Sequence, residues 1–225
     1  MQPTTKDGVT VRIMTLADYE TFKYVFEEQF IRGEPLSDPI AAAIDPEVWN
    51  LYDQYHQSLV ADGTCVVAID EENDGRVVGF VLAEGQVPED VEKHRQEADA
   101  VALQDTDITG HIRRINYVVE RDAKLYEHYG VSKLLYSHLT CVDVSMRGRG
   151  LGSRLATAAM ELGRSKGYPL MTANCTSFYS ARQKEALGME CIYSLKYEDY
   201  KGATGKVIFA PPEPHREVRV MAIKL

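Results

Sequence analysis

No stretch of this sequence approaches the roughly 18 consecutive apolar residues that a membrane-spanning helix needs. The first twenty residues mix Lys6, Asp7, Arg12 and Asp18 and hold no apolar core of a secretory signal, so a cytoplasmic chain without a membrane partner is expected. Cysteine is scarce. Cys65, Cys141, Cys175 and Cys191 stand far apart, with no C-x-x-C pair and no histidine at metal-ligand spacing. All four sit in apolar, strand-like runs and are expected to be small buried hydrophobes, with no metal bound. Positive charge is also in deficit: 25 basic against 34 acidic residues leave a net charge of -9. That argues against a nucleic-acid partner, whose binding rests on neutralised phosphates, and it favours a cationic substrate.

The 225 residues are 44% hydrophobic and 26% charged, the balance of a globular chain. One domain spanning residues 1–225 and a monomer are expected, since no linker, repeat or low-complexity tract interrupts the pattern. Val9 to Met14 alternates as a strand does. From Asp18 to Phe30, Tyr19, Phe22, Val25, Phe26 and Phe30 recur at helical spacing. Asp45 and Pro46 announce a second helix that ends by Gly63. Thr64 to Ile69 and Val77 to Leu82 flank a turn ending in Asp74 and Gly75 and should pair as an antiparallel hairpin. Pro88 to Leu103 reads as a charged helix. Ile108, Ile112, Ile115 and Val119 mark another helix, running to about Tyr129. Strands are expected over Leu134 to Val144, Leu170 to Cys175, Cys191 to Lys196 and Val218 to Leu225, and helices over Leu151 to Lys166 and Tyr179 to Leu187. This order specifies an α/β fold with a mixed central sheet flanked by helices.

The most informative segment runs from Val142 to Arg154, where Gly148, Gly150 and Gly152 stand between a strand and a helix. Glycines let a backbone approach a phosphate, and the helix start offers unpaired N–H groups. Arg147, Arg149 and Arg154 add positive charge, with no acid between Asp143 and Glu161. A nucleotide P-loop is excluded because no lysine follows the glycines. A dinucleotide loop is a poor match because Ser153 or Leu155 stands where its third glycine belongs. A tight turn whose glycines serve geometry alone is the competing reading.

The pattern Arg147-x-x-Gly150-x-Gly152, with Phe30 to Ser37, Cys175 to Arg182, Ala186 to Met189, Pro214-His215 and Val220 to Ala222, resembles the insect-type arylalkylamine N-acetyltransferases of the GNAT superfamily over nearly the whole chain. The resemblance implies a sheet whose central strands splay to form an acetyl-CoA cleft. It also implies direct acetyl transfer to a primary amine, with acetyl-CoA as co-substrate and without a metal. It implies that Glu34 is the general base, and that Thr176 and Ser180 supply hydroxyls to the departing thiolate, with Tyr179 beside them. Thr176 departs from the serine usual at its position. The resemblance further implies that backbone N–H groups from Val142 to Val144 face the acyl arm. Arg147, Gly148, Arg149, Gly150, Leu151, Gly152 and Ser153 would then cradle the pyrophosphate, with Pro35, Asp143 and His215 near the amine. Gly33 stands where some members of the family carry an acid. Two other readings stay open: a transferase for aliphatic amines such as agmatine or polyamines, and a CoA-binding module without catalysis.

Overall fold

The computed structural model describes residues 1–37, 39, 46–100 and 107–225. Its strands are β1 (Thr4–Lys6), β2 (Val9–Ile13), β3 (Val66–Asp70), β4 (Arg76–Gln86), β5 (Leu134–Val142), β6 (Leu170–Cys175), β7 (Glu190–Lys196) and β8 (Glu217–Lys224). They form one sheet in the order β1-β2-β3-β4-β5-β6-β8-β7. Every pairing is antiparallel except that of β5 with β6. The helices are α1 (Tyr19–Val25), α2 (Pro46–Ala61), α3 (Pro88–Ala100), α4 (Ile108–Ala123), α5 (Leu125–Tyr129), α6 (Leu151–Ser165) and α7 (Phe178–Ala186).

The mixed α/β sheet and the β3–β4 hairpin form as the sequence dictates. The Asp-Gly pair supplies the positive φ angles its turn needs, 55° at Asp74 and 66° at Gly75. Other boundaries differ. The helix read from Asp18 to Phe30 is three pieces: a 3-10 turn at Leu16–Asp18, then α1, then a π-helix over Phe26–Ile31. Phe22, Phe26 and Phe30 stack in series across the α-to-π junction, with centroids 6.0 and 5.7 Å apart. The helix read as continuing to Tyr129 breaks at Lys124, whose φ of 46° separates α4 from α5. Strand β1 has no alternating apolar pattern, because all three of its residues are exposed. The proposed cap Asp45 and the end of the helix read to Leu103 lie outside the described residues.

Three apolar clusters fill the two faces of the sheet. One packs α6 on β2 to β6 through Leu155, Leu162, Leu135 and Met171. A second packs α1 and α2 on β3 and β4 through Phe22, Phe26, Leu59 and Phe80. A third packs α4 on β5, β6 and β8 through Ile115, Val119, Leu134 and Val220. Cys65, Cys141 and Cys175 are buried as expected, but Cys191 is exposed because β7 is the outer strand of the sheet.

His56 is buried with neither ring nitrogen partnered, and the His138 ring lies 6.3 Å away. Burial holds both neutral, lowering His56 to about 3 and His138 to about 4 from an ordinary 6.5. As pH falls through 6.5 the unfolded chain takes up protons that the folded chain refuses, so stability is full above that pH and declines towards pH 4. Urea unfolding should show up to about 2 kcal/mol lost per histidine between roughly pH 7 and pH 5. His56→Leu should flatten that dependence by about half.

Candidate active site

The site is organised by a failure of pairing. β5 and β6 are in register only at Leu135 with Met171 and Tyr136 with Thr172. Beyond those residues β5 pairs only with β4, and β6 only with β8. An extra residue on β5 accompanies the divergence: Leu82 faces Leu139 and Ala83 faces Ser137, leaving His138 as a bulge. The result is a wedge in mid-sheet with strand edges whose backbone groups must find partners elsewhere. Successive N–H groups alternate sides of a strand. That of Asp143 goes to Val78 O on β4 at 2.9 Å, so that of Val142 faces the wedge.

At the mouth of the wedge the chain turns from β5 into α6. Gly148 and Gly150 adopt φ of 77° and 75°, the left-handed region that glycine enters without steric cost, and Gly150 caps α6. The first α-helical bond there runs from Arg154 N–H to Gly150 O, so the N–H groups of Leu151, Gly152 and Ser153 remain for an anion. The Leu151 side chain itself belongs to the core. Arg147 donates Nε to Val142 O at 3.0 Å. Arg149 lies against Met146 Sδ. Arg154 is not part of this loop: its guanidinium turns to the carbonyls of Lys6 and Val9, tying α6 to the first hairpin. The local reversal of charge read from three arginines thus rests on two.

Glu34 lies in the turn after the π-helix. Its Oε2 accepts N–H bonds from Leu36 at 2.9 Å and Ser37 at 2.6 Å, while Oε1 is buried without a partner. Pro35 and Leu36 are buried, and Leu36 joins the α4 cluster, which fixes the turn in place. One carboxylate oxygen is therefore anchored and the other is free to accept a proton. Gly33 cannot carry a side chain here, because a Cβ would stand 2.8 Å from Gln29 O. An acidic side chain there would require the backbone to shift. The same hypothetical Cβ is 3.5 Å from an Arg147 Nη, so the Glu34 turn and the glycine loop are neighbours. Gln29 joins them directly by accepting the Val144 N–H at 3.2 Å. That contact corrects the expectation for Val144, whose N–H is occupied by Gln29 and whose side chain is exposed. The strand ends at Val142, two residues earlier than its apolar run suggests, because Asp143 caps the following 3-10 turn.

Asp143 itself is buried, accepting from Ser145 N–H and Oγ at 2.9 and 2.6 Å and lying 3.8 Å from Arg76. Burial pushes its carboxyl up, but the Ser145 bonds and the charges of Arg76 and Arg147 outweigh that and hold it below the usual range. This carboxylate serves the turn rather than an incoming cation. His215 accepts the Phe178 N–H on Nδ1 at 3.1 Å and meets the Tyr179 ring edge-on, so it secures the start of α7. Ser177, a residue the sequence reading passed over, is the cap of α7, accepting Ser180 N–H at 3.0 Å. The Ser180 hydroxyl donates to Ser177 O at 2.9 Å, and the Thr176 hydroxyl makes no hydrogen bond among the described residues. Tyr179 is largely exposed. Tyr197, also not anticipated, donates its phenol to Thr176 O at 2.6 Å. Burial and then the field of Glu34 push that phenol far up, so it stays a neutral donor between Glu34 and Thr176.

On the α4 side of the wedge lies a polar interior that the sequence did not reveal. Asn174 of β6 donates to Asn116 Oδ1 and Glu120 Oε1 at 3.2 and 3.4 Å. Tyr55 donates to Glu84 Oε1 at 2.7 Å, and burial raises the Glu84 carboxyl. Among the described residues neither Glu84 nor Glu120 forms a salt bridge with arginine or lysine. No three His, Cys, Asp or Glu side chains among them cluster as a metal site.

Residues 29–183 match the Acetyltransferase (GNAT) family. The fold is shared with a mosquito arylalkylamine N-acetyltransferase like 5b at a TM-score of 0.83 and 26% identity, covering 96% of this chain and 100% of that one. A Drosophila melanogaster polyamine N-acetyltransferase that forms N-acetylagmatine superposes at 0.82 with 30% identity, covering 96% and 100%. An agmatine N-acetyltransferase superposes at 0.84 with 30% identity, covering 97% and 100%. The splayed strands, the glycine turn feeding α6 and these matches agree: the chain belongs to the GNAT acetyltransferase family, whose members use acetyl-CoA.

Proposed function

We propose that this chain transfers acetyl from acetyl-CoA to a small primary amine of the arylalkylamine type, with Glu34 as the base. The observation that carries the reading is the Glu34 carboxylate, anchored through Oε2 and free at a buried Oε1. Acetyl-CoA, when bound, supplies an acetyl group already activated as a thioester. The chain's own residues do the rest. Arg147, Arg149 and the N–H groups of 151–153 hold the pyrophosphate. The Val142 N–H is available along the free edge of β5 to the acyl arm. Glu34 Oε1 takes the proton that an ammonium must lose before its nitrogen can attack. Thr176, Ser180 and Tyr179 remain the hydroxyls nearest in role to the leaving thiolate, and Pro35 and His215 border the amine.

The aryl reading draws on Tyr52 and Tyr197, core-packed aromatic side chains close enough to Glu34 to feel its charge. A second reading, an aliphatic amine with two cationic ends, draws on Glu84 and Glu120, half-buried and buried, which have no arginine or lysine partner among the described residues, although His94 lies 3.4 Å from Glu120. Release of the CoA thiol with tryptamine, dopamine, serotonin, agmatine and spermidine separates the two. Release strongest with the aromatic amines supports the first reading, and release confined to agmatine or spermidine the second. CoA binding with no amine-dependent release would leave a binding module. Arg147→Ala should weaken CoA binding by about 10- to 100-fold in calorimetry, the loss of a charge-assisted contact. Pantetheine, which has no pyrophosphate, should bind both proteins alike.

A further inference from the structure

A lysine that the reaction scheme above does not use lies in the wedge itself. Lys184 of α7 is 2% exposed, and its Nζ donates to Thr140 Oγ1 at 3.3 Å. The helix it belongs to packs on β6, β7 and β8, yet the side chain reaches to β5. It therefore crosses the gap between the two strands that have parted. It lies one helical turn beyond Ser180, beside Cys175, the last residue of β6. No carboxylate stands within ion-pair distance among the described residues. Burial lowers this ammonium from its ordinary value. An ammonium has three protons to place, and a buried one without a counter-charge is costly. The hydroxyl of Thr140 satisfies one of them. By helical periodicity alone a lysine between Gln183 and Glu185 reads as solvated, but it shares the inward face of α7 with Ala181.

We propose that Lys184 is the cation that meets the sulfur end of the CoA arm and holds the thiolate as it leaves. The inference rests on the acetyl-transfer reading. In that step the amine nitrogen forms a bond to the thioester carbonyl carbon as the carbon–sulfur bond breaks. The amine proton goes to Glu34, and the electron pair departs on sulfur. The negative charge then sits in the wedge where an ammonium is already in place, which lowers the barrier because little has to reorganise. The released thiol takes its proton from the Lys184 ammonium or from solvent. Cys175 of β6 is close enough to Lys184 to feel its charge, and Cys191 of β7 and Arg219 of β8 act on Cys175 in turn. From β5 the group facing Lys184 is the Thr140 hydroxyl, which does not titrate in this range.

The test is the ionisation of the CoA thiol in its complex, read as thiolate absorbance against pH. Subtracting the complex with desulfo-CoA removes the protein's own cysteines and tyrosines. In the wild type the bound thiol should titrate about 1–2 pH units below free CoA, and Lys184→Met should return it towards the free value. Turnover should fall about tenfold in Lys184→Met with the KM for acetyl-CoA little changed, and Lys184→Arg should restore part of it. A bound thiol titrating as free CoA does in the wild type overturns the proposal without any variant. So does a depressed midpoint that Lys184→Met leaves in place. If calorimetry finds no CoA binding to the wild type, the transferase reading falls and takes this inference with it. If CoA binds with an unshifted thiol, this inference falls alone.

Discussion

Glu34→Gln should lower kcat/KM on the order of 10²-fold or more, the scale of a lost general base. The substitution keeps the shape of the side chain. Its amide oxygen can still accept from Leu36 and Ser37, so the turn after the π-helix is retained. The position of the free Oε1 is then held by an NH2 group, which donates and cannot take the proton. CoA binding should be unchanged by calorimetry, since the Glu34 carboxylate bonds to Leu36 and Ser37 and not to the neighbouring pyrophosphate loop. The residual rate should climb with pH, because only amine already deprotonated in solution can react. Full activity in this variant removes Glu34 from the mechanism. Loss of CoA binding along with activity would show instead that the turn had collapsed.

Phe80→Ala should cost about 3–5 kcal/mol of folding stability, a large share of what a domain of this size has. Phe80 is fully buried in β4, paired with Val67 of β3 and Cys141 of β5. Its ring meets that of Phe22 edge-on at 4.5 Å, and Phe22 begins the aromatic series that carries α1 into the π-helix. Truncation leaves a cavity that the β-sheet backbone cannot close, so both transfer and cavity terms apply. Urea unfolding should show a lower midpoint with an unchanged slope, and Phe80→Leu should recover most of the loss. The Glu34 turn follows directly on this aromatic series, so activity should fall with stability in Phe80→Ala. A cost under about 1 kcal/mol would mean that Phe22 and α1 repack freely, and the rigid placement of Glu34 would need another source.

The anion loop was legible because its determinants are local. Gly148 and Gly150 supply positive φ, and the helix that follows supplies N–H groups, all within residues 147–153. The strand Leu170–Cys175 was read to the residue, since an apolar run bounded by turn residues carries its own ends. The Glu34 turn was legible only by resemblance, as one acidic residue after a helix has no distinguishing periodicity. Arg154 shows the converse failure. It sits in the right sequence window, yet α6 carries it one turn away from the loop, onto the carbonyls of the first hairpin.

From the sequence alone came the class of fold, the strand–turn–helix that can hold a pyrophosphate, and the burial of three of the four cysteines expected inside, because propensity and periodicity act over a few neighbouring residues. The tertiary structure decided which groups are spent and which are free. Asp143 and the Val144 N–H are used within the protein, by Ser145 and Gln29, while Glu34 Oε1 and the Lys184 ammonium are left facing inward. Each of those outcomes depends on what lies opposite. What lies opposite is set by the register at which β5 and β6 pair for two residues and then part, a relation between segments more than thirty residues apart that no local pattern encodes.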